Sequence, residues 1–306
     1  MINPVFRRET RTTLRSWKIF AAMAVYTALL TLVAVVTLNI NDTFSYTYSF
    51  NPQTVIILYI VLTAFQNIIV AIIAPSLTSG AISGERERQT LDLMLLTKMS
   101  TVSIVVGKLM SSMLTILLII VASLPVFSLV FYYGGVSLWN LFGMAGFTLL
   151  FAAMVGSISI FFSTVTKKTI VSTVWTYIII LALTVGNFVV TIIFAITTQY
   201  NVNDLVIALV TRFSFMLNPA VSFFALADMQ YGMGLFNDLM QNIAYSGYIS
   251  GTSAMSNALR AVLTVVEAIP LWLVNIVVMA LITAAAVLLS AMFIKPVRGG
   301  SEKKRS

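Results

Sequence analysis

The sequence contains no cysteine and no histidine, and only 9% of its 306 residues are charged. Without cysteine there is no disulfide and no thiolate metal site. Without histidine, Ser-His-Asp and Cys-His catalysis, His-ligated zinc or haem and His-based proton relays are excluded. The scarcity of charge excludes more. An average soluble domain carries about 25% charged residues, whereas hydrophobic residues alone make up 59% here. A soluble core that apolar needs a larger polar shell than the remaining residues supply. The charges are also clustered, leaving long uncharged stretches, the pattern of spans that satisfy their backbone polar groups within their own helices.

What is present is six such stretches, at 19–38, 55–77, 103–131, 138–162, 170–198 and 271–294. Each reaches the ~20 apolar residues needed to cross ~30 Å of hydrocarbon. The predicted fold is an all-α integral membrane protein, a single transmembrane domain over 1–306. The first span is not expected to be a cleaved signal peptide, because a polar lead-in precedes it and no small-residue cleavage pattern follows. Six spans put both ends on one side, and sixteen of the eighteen basic residues fall there. Only Arg212 and Arg260 lie opposite. The positive-inside rule then places both ends in the cytoplasm. Topology thus explains the net charge of +8 without nucleic acid.

Three connecting segments add detail. Residues 1–18 open on Asn3-Pro4, a capping side chain followed by proline at the first helical position. Phe6, Thr10, Thr13, Leu14 and Trp17 then share one face, and Arg7, Arg8, Arg11, Arg15 and Lys18 fall largely on the other. A basic amphipathic helix lying along the inner membrane surface is expected, either as a simple anchor or with a further role. The outer segment 199–270 holds apolar stretches at 205–217 and 220–226, too short to span, separated by Asn218-Pro219 and by Gly232 and Gly234. These read as re-entrant or interfacial helices. A further helix over 257–268 is expected to lead into the sixth span with a kink at Pro270.

The cytoplasmic loop 79–102 carries Gly84-Glu85-Arg86-Glu87-Arg88-Gln89-Thr90-Leu91, with Leu95-Leu96-Thr97 behind it and Gly107-Lys108 at the entry to the third span. Glu85 and Glu87 are expected in the first turn of a short helix, where the dipole favours acids. Leu91, Met94 and Leu95 would share a face. A charged start with an apolar ridge suits docking into a groove on a soluble partner. The same residues would equally suit a solvated helix resting on the bilayer.

That run, with its Thr90-Leu91, Leu95-Leu96-Thr97, Ile104 and Gly107-Lys108, closely resembles the permeases of type-2 ABC exporters. The sequence-specific part covers about 30 residues, and the basic start, six spans and outer segment extend the likeness over most of the chain. Lys98-Met99 departs from it, since many relatives carry proline after the Leu-Leu-Thr. The resemblance implies that 85–97 is a coupling helix, with Glu85, Arg86, Glu87, Arg88, Thr90, Leu91, Met94 and Leu95 against an ABC ATPase subunit. It implies two ATPase copies, a second permease that is identical or homologous, surrounding membrane lipids, and transport outward.

The phosphate-cradling pattern G-x-x-x-x-G-K-[ST] is missing: Val102 stands at the glycine position before Gly107-Lys108, and Leu109 follows. ATP and magnesium are therefore expected on a separate ATPase subunit, with no cofactor on this chain and no catalysis by it. No Asp, Glu, Lys or Arg is expected deep inside a span, Glu267 being the nearest candidate at a boundary, which disfavours an ion-coupled carrier. An intramembrane enzyme is disfavoured by the missing histidine, cysteine and paired span carboxylates. A protein that relays ATPase motion to an envelope partner without transporting is the alternative. Gln66, Asn67 and Asn187 are the polar candidates for a substrate path, although mid-span amides commonly just bond neighbouring helices.

Overall fold

The computed structural model describes residues 6, 16–44, 52–91, 96, 100–190, 193, 214–232, 234 and 270–294. Every regular element among them is helical: α1 (Trp17–Phe44), α2 (Pro52–Thr78), α3 (Gly80–Glu87), α4 (Thr101–Tyr133), α5 (Leu138–Val165), α6 (Thr169–Leu181), α7 (Pro219–Tyr231) and α8 (Leu271–Phe293). Six helices are long and apolar enough to cross a membrane: α1, α2 running on into α3, α4, α5, α6 with its continuation, and α8. The expected span starts at Leu138 and Leu271 coincide with the helix starts. The basic amphipathic segment lies, apart from Phe6 and Trp17, outside the described residues, as do Met94, Leu95, Lys98, Met99, Glu267 and the expected helix over 257–268.

Local chemistry sets the helix ends. Ser100 and Ser137 cap α4 and α5, accepting from the backbone N–H of Ser103 and Asn140 at 3.2 Å each. Pro270 stands at the N-cap of α8, so the kink expected there is a helix start. At 33 residues, α4 is about 50 Å long at 1.5 Å per residue and overreaches the hydrocarbon. Its first turns place Lys108, buried, at the end of the bundle that also carries Arg86, Lys167 and Lys168. That end is called the basic end below. The opposite, aromatic end displays Tyr132 and Trp139, 83% and 84% exposed, as expected of rings at a membrane–water boundary.

The span α5 is the hub, touching α2, α3, α4, α6, α7 and α8. Gly156 is where three helices meet most closely. A Cβ there would lie 3.1 Å from Leu109, 3.3 Å from Met113 and 3.4 Å from Thr78. Between helices in lipid, association rests on close packing of small residues, and this position has no room for more. Nearer the aromatic end, fully buried Tyr59 sets its ring edge-on to Phe127 and Tyr231 at 5.9 and 5.7 Å between centroids.

The described helix of the 199–270 segment, α7, packs against α8, α5 and α2. Asn218 caps it through Oδ1, accepting from Ala220 N at 2.9 Å, with Pro219 at the first helical position. Asn218 Nδ2 donates to the Thr184 carbonyl at 2.8 Å, which anchors this start deep against the fifth span. Gly232, at φ 60°, closes the helix in the left-handed conformation. In between, Val221, Ser222, Phe223, Ala225, Leu226 and Ala227 are buried. At the aromatic end Gln230 Nε2 donates to the Asn140 carbonyl at 3.3 Å, over Gly143, whose missing side chain makes the space.

Candidate cavity and polar junction

A cavity of about 550 Å³ lies between α2, α5, α6 and α7. Its wall is apolar, with Ile68, Ile72, Phe151, Leu181, Pro219 and Phe223 prominent, and three polar residues interrupt it: Asn67, Tyr177 and Thr184. Two of these are committed elsewhere. Tyr177 donates to the Ile72 carbonyl at 2.7 Å, tying α6 to α2, and Thr184 donates to the Ile180 carbonyl at 2.8 Å. Asn67 donates through Nδ2 to the Thr63 carbonyl at 2.8 Å, while its Oδ1 is buried without a hydrogen-bond partner. The Asn67 amide is thus a half-satisfied group in a largely apolar wall.

The sequence candidates separate in space. Gln66 and Asn67 are neighbours in α2, so their side chains point about 100° apart. Gln66 is buried on the other side, accepting from Ser123 at 3.3 Å beside a small void of about 30 Å³. Asn187 donates back to the Leu183 carbonyl at 3.0 Å and does not line the large cavity. It follows the π-helical segment Ala182–Gly186, which interrupts the fifth span beside the cavity at Thr184. Asp228 was not legible as a candidate: its Oδ1 is buried on α7 with no hydrogen-bond partner.

At the basic end the charged run forms a junction within the chain. Glu85 and Glu87 lie in the last turn of α3, not in a first turn, because the helix begins at Gly80 and closes at Glu87, with Gln89 at φ 59° beyond it. Acids at a helix C-terminus oppose its dipole, and each has a compensating partner. Glu85 pairs with Lys108 Nζ at 3.3 Å and accepts from the Thr90 hydroxyl. Glu87 receives the Thr169 backbone N–H at 2.8 Å and its hydroxyl at 3.2 Å, at the start of α6. Arg86 between them donates to the carbonyls of Thr166 and Thr164, at 2.9 and 3.0 Å, at the end of α5. A cation thus meets the negative end of one helix and an anion the positive end of the next, each worth about 0.3–1 kcal/mol at an exposed site.

Hydroxyl groups extend this junction inward. Ser163 Oγ on α5 accepts from the backbone N–H groups of Ile82 and Ser83, both at 2.9 Å. These belong to the first turn of α3, where N–H groups lack intrahelical partners, so α5 supports the restart of the helix after Ser79. Thr173 on α6 donates to Ser79 at 2.7 Å. Leu91 packs against a cluster of Ile82, Ile104, Val105, Leu109, Ile160 and Ile294. Of the residues expected to face a partner, Glu87 and Arg88 are exposed, and Leu96 beyond them is 81% exposed.

No group of three or more His, Cys, Asp or Glu that could hold a metal is found among the described residues. No curated protein matches the chain. Residues 3–292 do match one family, described as ABC-2 family transporter protein. That match runs from ahead of the first span almost to the end of the sixth, so the chain belongs to the ABC-2 transporter family and is a multi-pass membrane permease of that kind.

Proposed function

We propose that this chain is the export permease of an ABC transporter, working as a pair of permeases with two ATPase subunits on the basic end. The observation that carries the reading is the cavity of about 550 Å³ between α2, α5, α6 and α7. Its volume lies within the ~300–1,000 Å³ of small-molecule sites. An almost wholly apolar wall suits an apolar or amphiphilic cargo. The exposed flanks of the opening, Ile68, Ile72 and Leu181, suit coverage by a second permease copy. The positive-inside rule puts the basic end, and both chain ends with it, in the cytoplasm of a bacterial plasma membrane.

The 306 residues contain no phosphate-cradling motif, so ATP and magnesium belong on the partner subunit, whose closure would drive the permeases between two arrangements. The docking surface is the chain that follows α3: Arg88, Leu91, Met94, Leu95 and Leu96. The polar groups of Glu85, Arg86, Glu87 and Thr90 are engaged within the permease and support that surface from behind.

The test is ATP hydrolysis by the complex in phospholipid nanodiscs, with long-chain alcohols and fluorescent short-chain lipids as cargo probes. Stimulation by such probes, lost when Ala71→Trp fills the cavity, is the expected result. Stimulation that survives a filled cavity places the cargo elsewhere.

A further inference from the structure

Between them, Arg86 and Glu87 bridge the turn from α5 to α6, one bonded to the last carbonyls of α5 and the other to the first N–H of α6. The contact is close along its length. A Cβ at Gly80 would stand 3.4 Å from the Thr169 methyl group, and one at Gly84 would stand 3.8 Å from its hydroxyl. Ser83 Oγ lies 3.2 Å from Thr169 Oγ1, and Thr173 holds Ser79 one turn further in. The helix that receives these bonds is the one that continues through Tyr177, Ile178, Leu181 and Thr184 along the cavity wall.

We infer that α3 and the start of α6 move as one body, with Glu87 as the positioning residue, so that displacement of the chain after α3 reaches the α6 wall of the cavity directly. This deepens the proposed function and rests on its premise that a partner acts at the basic end. The physical ground is directional. A carboxylate with both oxygens on one residue resists sliding and rotation of α3 over α6, and its bond from the Thr169 N–H sits at the positive end of the α6 dipole. A loop that merely rested against α6 would show neither feature.

The absence of native cysteine allows a direct test. Gly84→Cys with Thr169→Cys places two thiols across the contact while the residue 169 N–H remains available to Glu87. In the full complex with its ATPase, oxidation of this pair is expected to leave ATP hydrolysis within two-fold of the reduced sample. A ten-fold loss on oxidation, restored by dithiothreitol, would show that α3 must slide against α6 and would overturn the inference. In the permease alone, Glu87→Ala is expected to slow formation of that disulfide at least five-fold, and Glu87→Gln, which keeps an acceptor oxygen, to restore most of the rate. Equal rates in all three backgrounds would remove Glu87 from the role. If no ATPase co-purifies, the proposed function fails, whereas the disulfide rates in the isolated permease still decide whether the junction is rigid.

Discussion

Neutralising Glu85 is expected to destabilise the isolated permease more than neutralising its partner Lys108. The Lys108 side chain is 7% exposed and that of Glu85 is 32% exposed, with Nζ and Oε1 3.3 Å apart. Glu85→Gln removes the carboxylate 3.3 Å from an ammonium group that is nearly out of water. Breaking a buried pair in this way costs about 3–5 kcal/mol, reduced to about 2–3 here because water reaches the acid's side of the pair. Lys108→Met leaves a carboxylate that still accepts from Thr90 and is a third exposed, so the loss is about 1 kcal/mol. With both replaced, no charge remains to be desolvated, and the double variant should lie close to Lys108→Met alone. The coupling energy is then about 2–3 kcal/mol, and Glu85→Gln should lower the unfolding midpoint by about 4–10 °C. Thermal unfolding of the purified variants in detergent, followed by tryptophan fluorescence, measures all four corners of the cycle. An unchanged midpoint for Glu85→Gln with zero coupling would refute the reasoning. It would mean that Glu85 is a surface group whose partner lies on another protein.

Other consequences follow from particular contacts. Gly156→Leu should cost about 1–3 kcal/mol or more by overpacking against Leu109, Met113 and Thr78, seen as reduced monodisperse yield in detergent. Gly143→Ala should cost far less, because only the mobile end of Gln230 must give way. Asn218→Ala removes both the α7 cap and the bond to Thr184, a loss of about 1–2 kcal/mol that should make the 214–232 segment more susceptible to protease. Leu96→Asp, at an 81% exposed position, should weaken association with the ATPase while leaving the midpoint of the isolated permease within about 1 °C.

The spans were legible because each is a continuous apolar run bounded by polar residues. The second was expected to end at 77 and its helix ends at Thr78. The junction was not legible, because its partners lie far apart in sequence. Nothing in Gly84-Glu85-Arg86-Glu87 announces that Thr164, Thr166 and Thr169 receive its side chains, so the acids were placed at a helix start when they sit at a helix end. The serines and threonines of α5 and α6 were overlooked for a related reason. Hydropathy treats Ser163 or Thr173 as nearly neutral, whereas between helices the hydroxyl is a specific connector. Gln66 and Asn67 show the same limit: they are adjacent in the chain, yet the helix sends one into a buried contact with Ser123 and the other to the cavity. The helix α7 was half legible, since Asn218-Pro219 and Gly232 marked its ends but not its bond to Thr184.

The central claim, that an ABC ATPase acts on the basic end of this permease, is tested most directly by affinity purification of the chain from its native membrane in mild detergent. Mass spectrometry of what remains bound should find an ABC ATPase in equal amount, its retention weakened by Leu96→Asp. Recovery of the chain without any ATPase, with ATP present and the permease intact, would contradict the account.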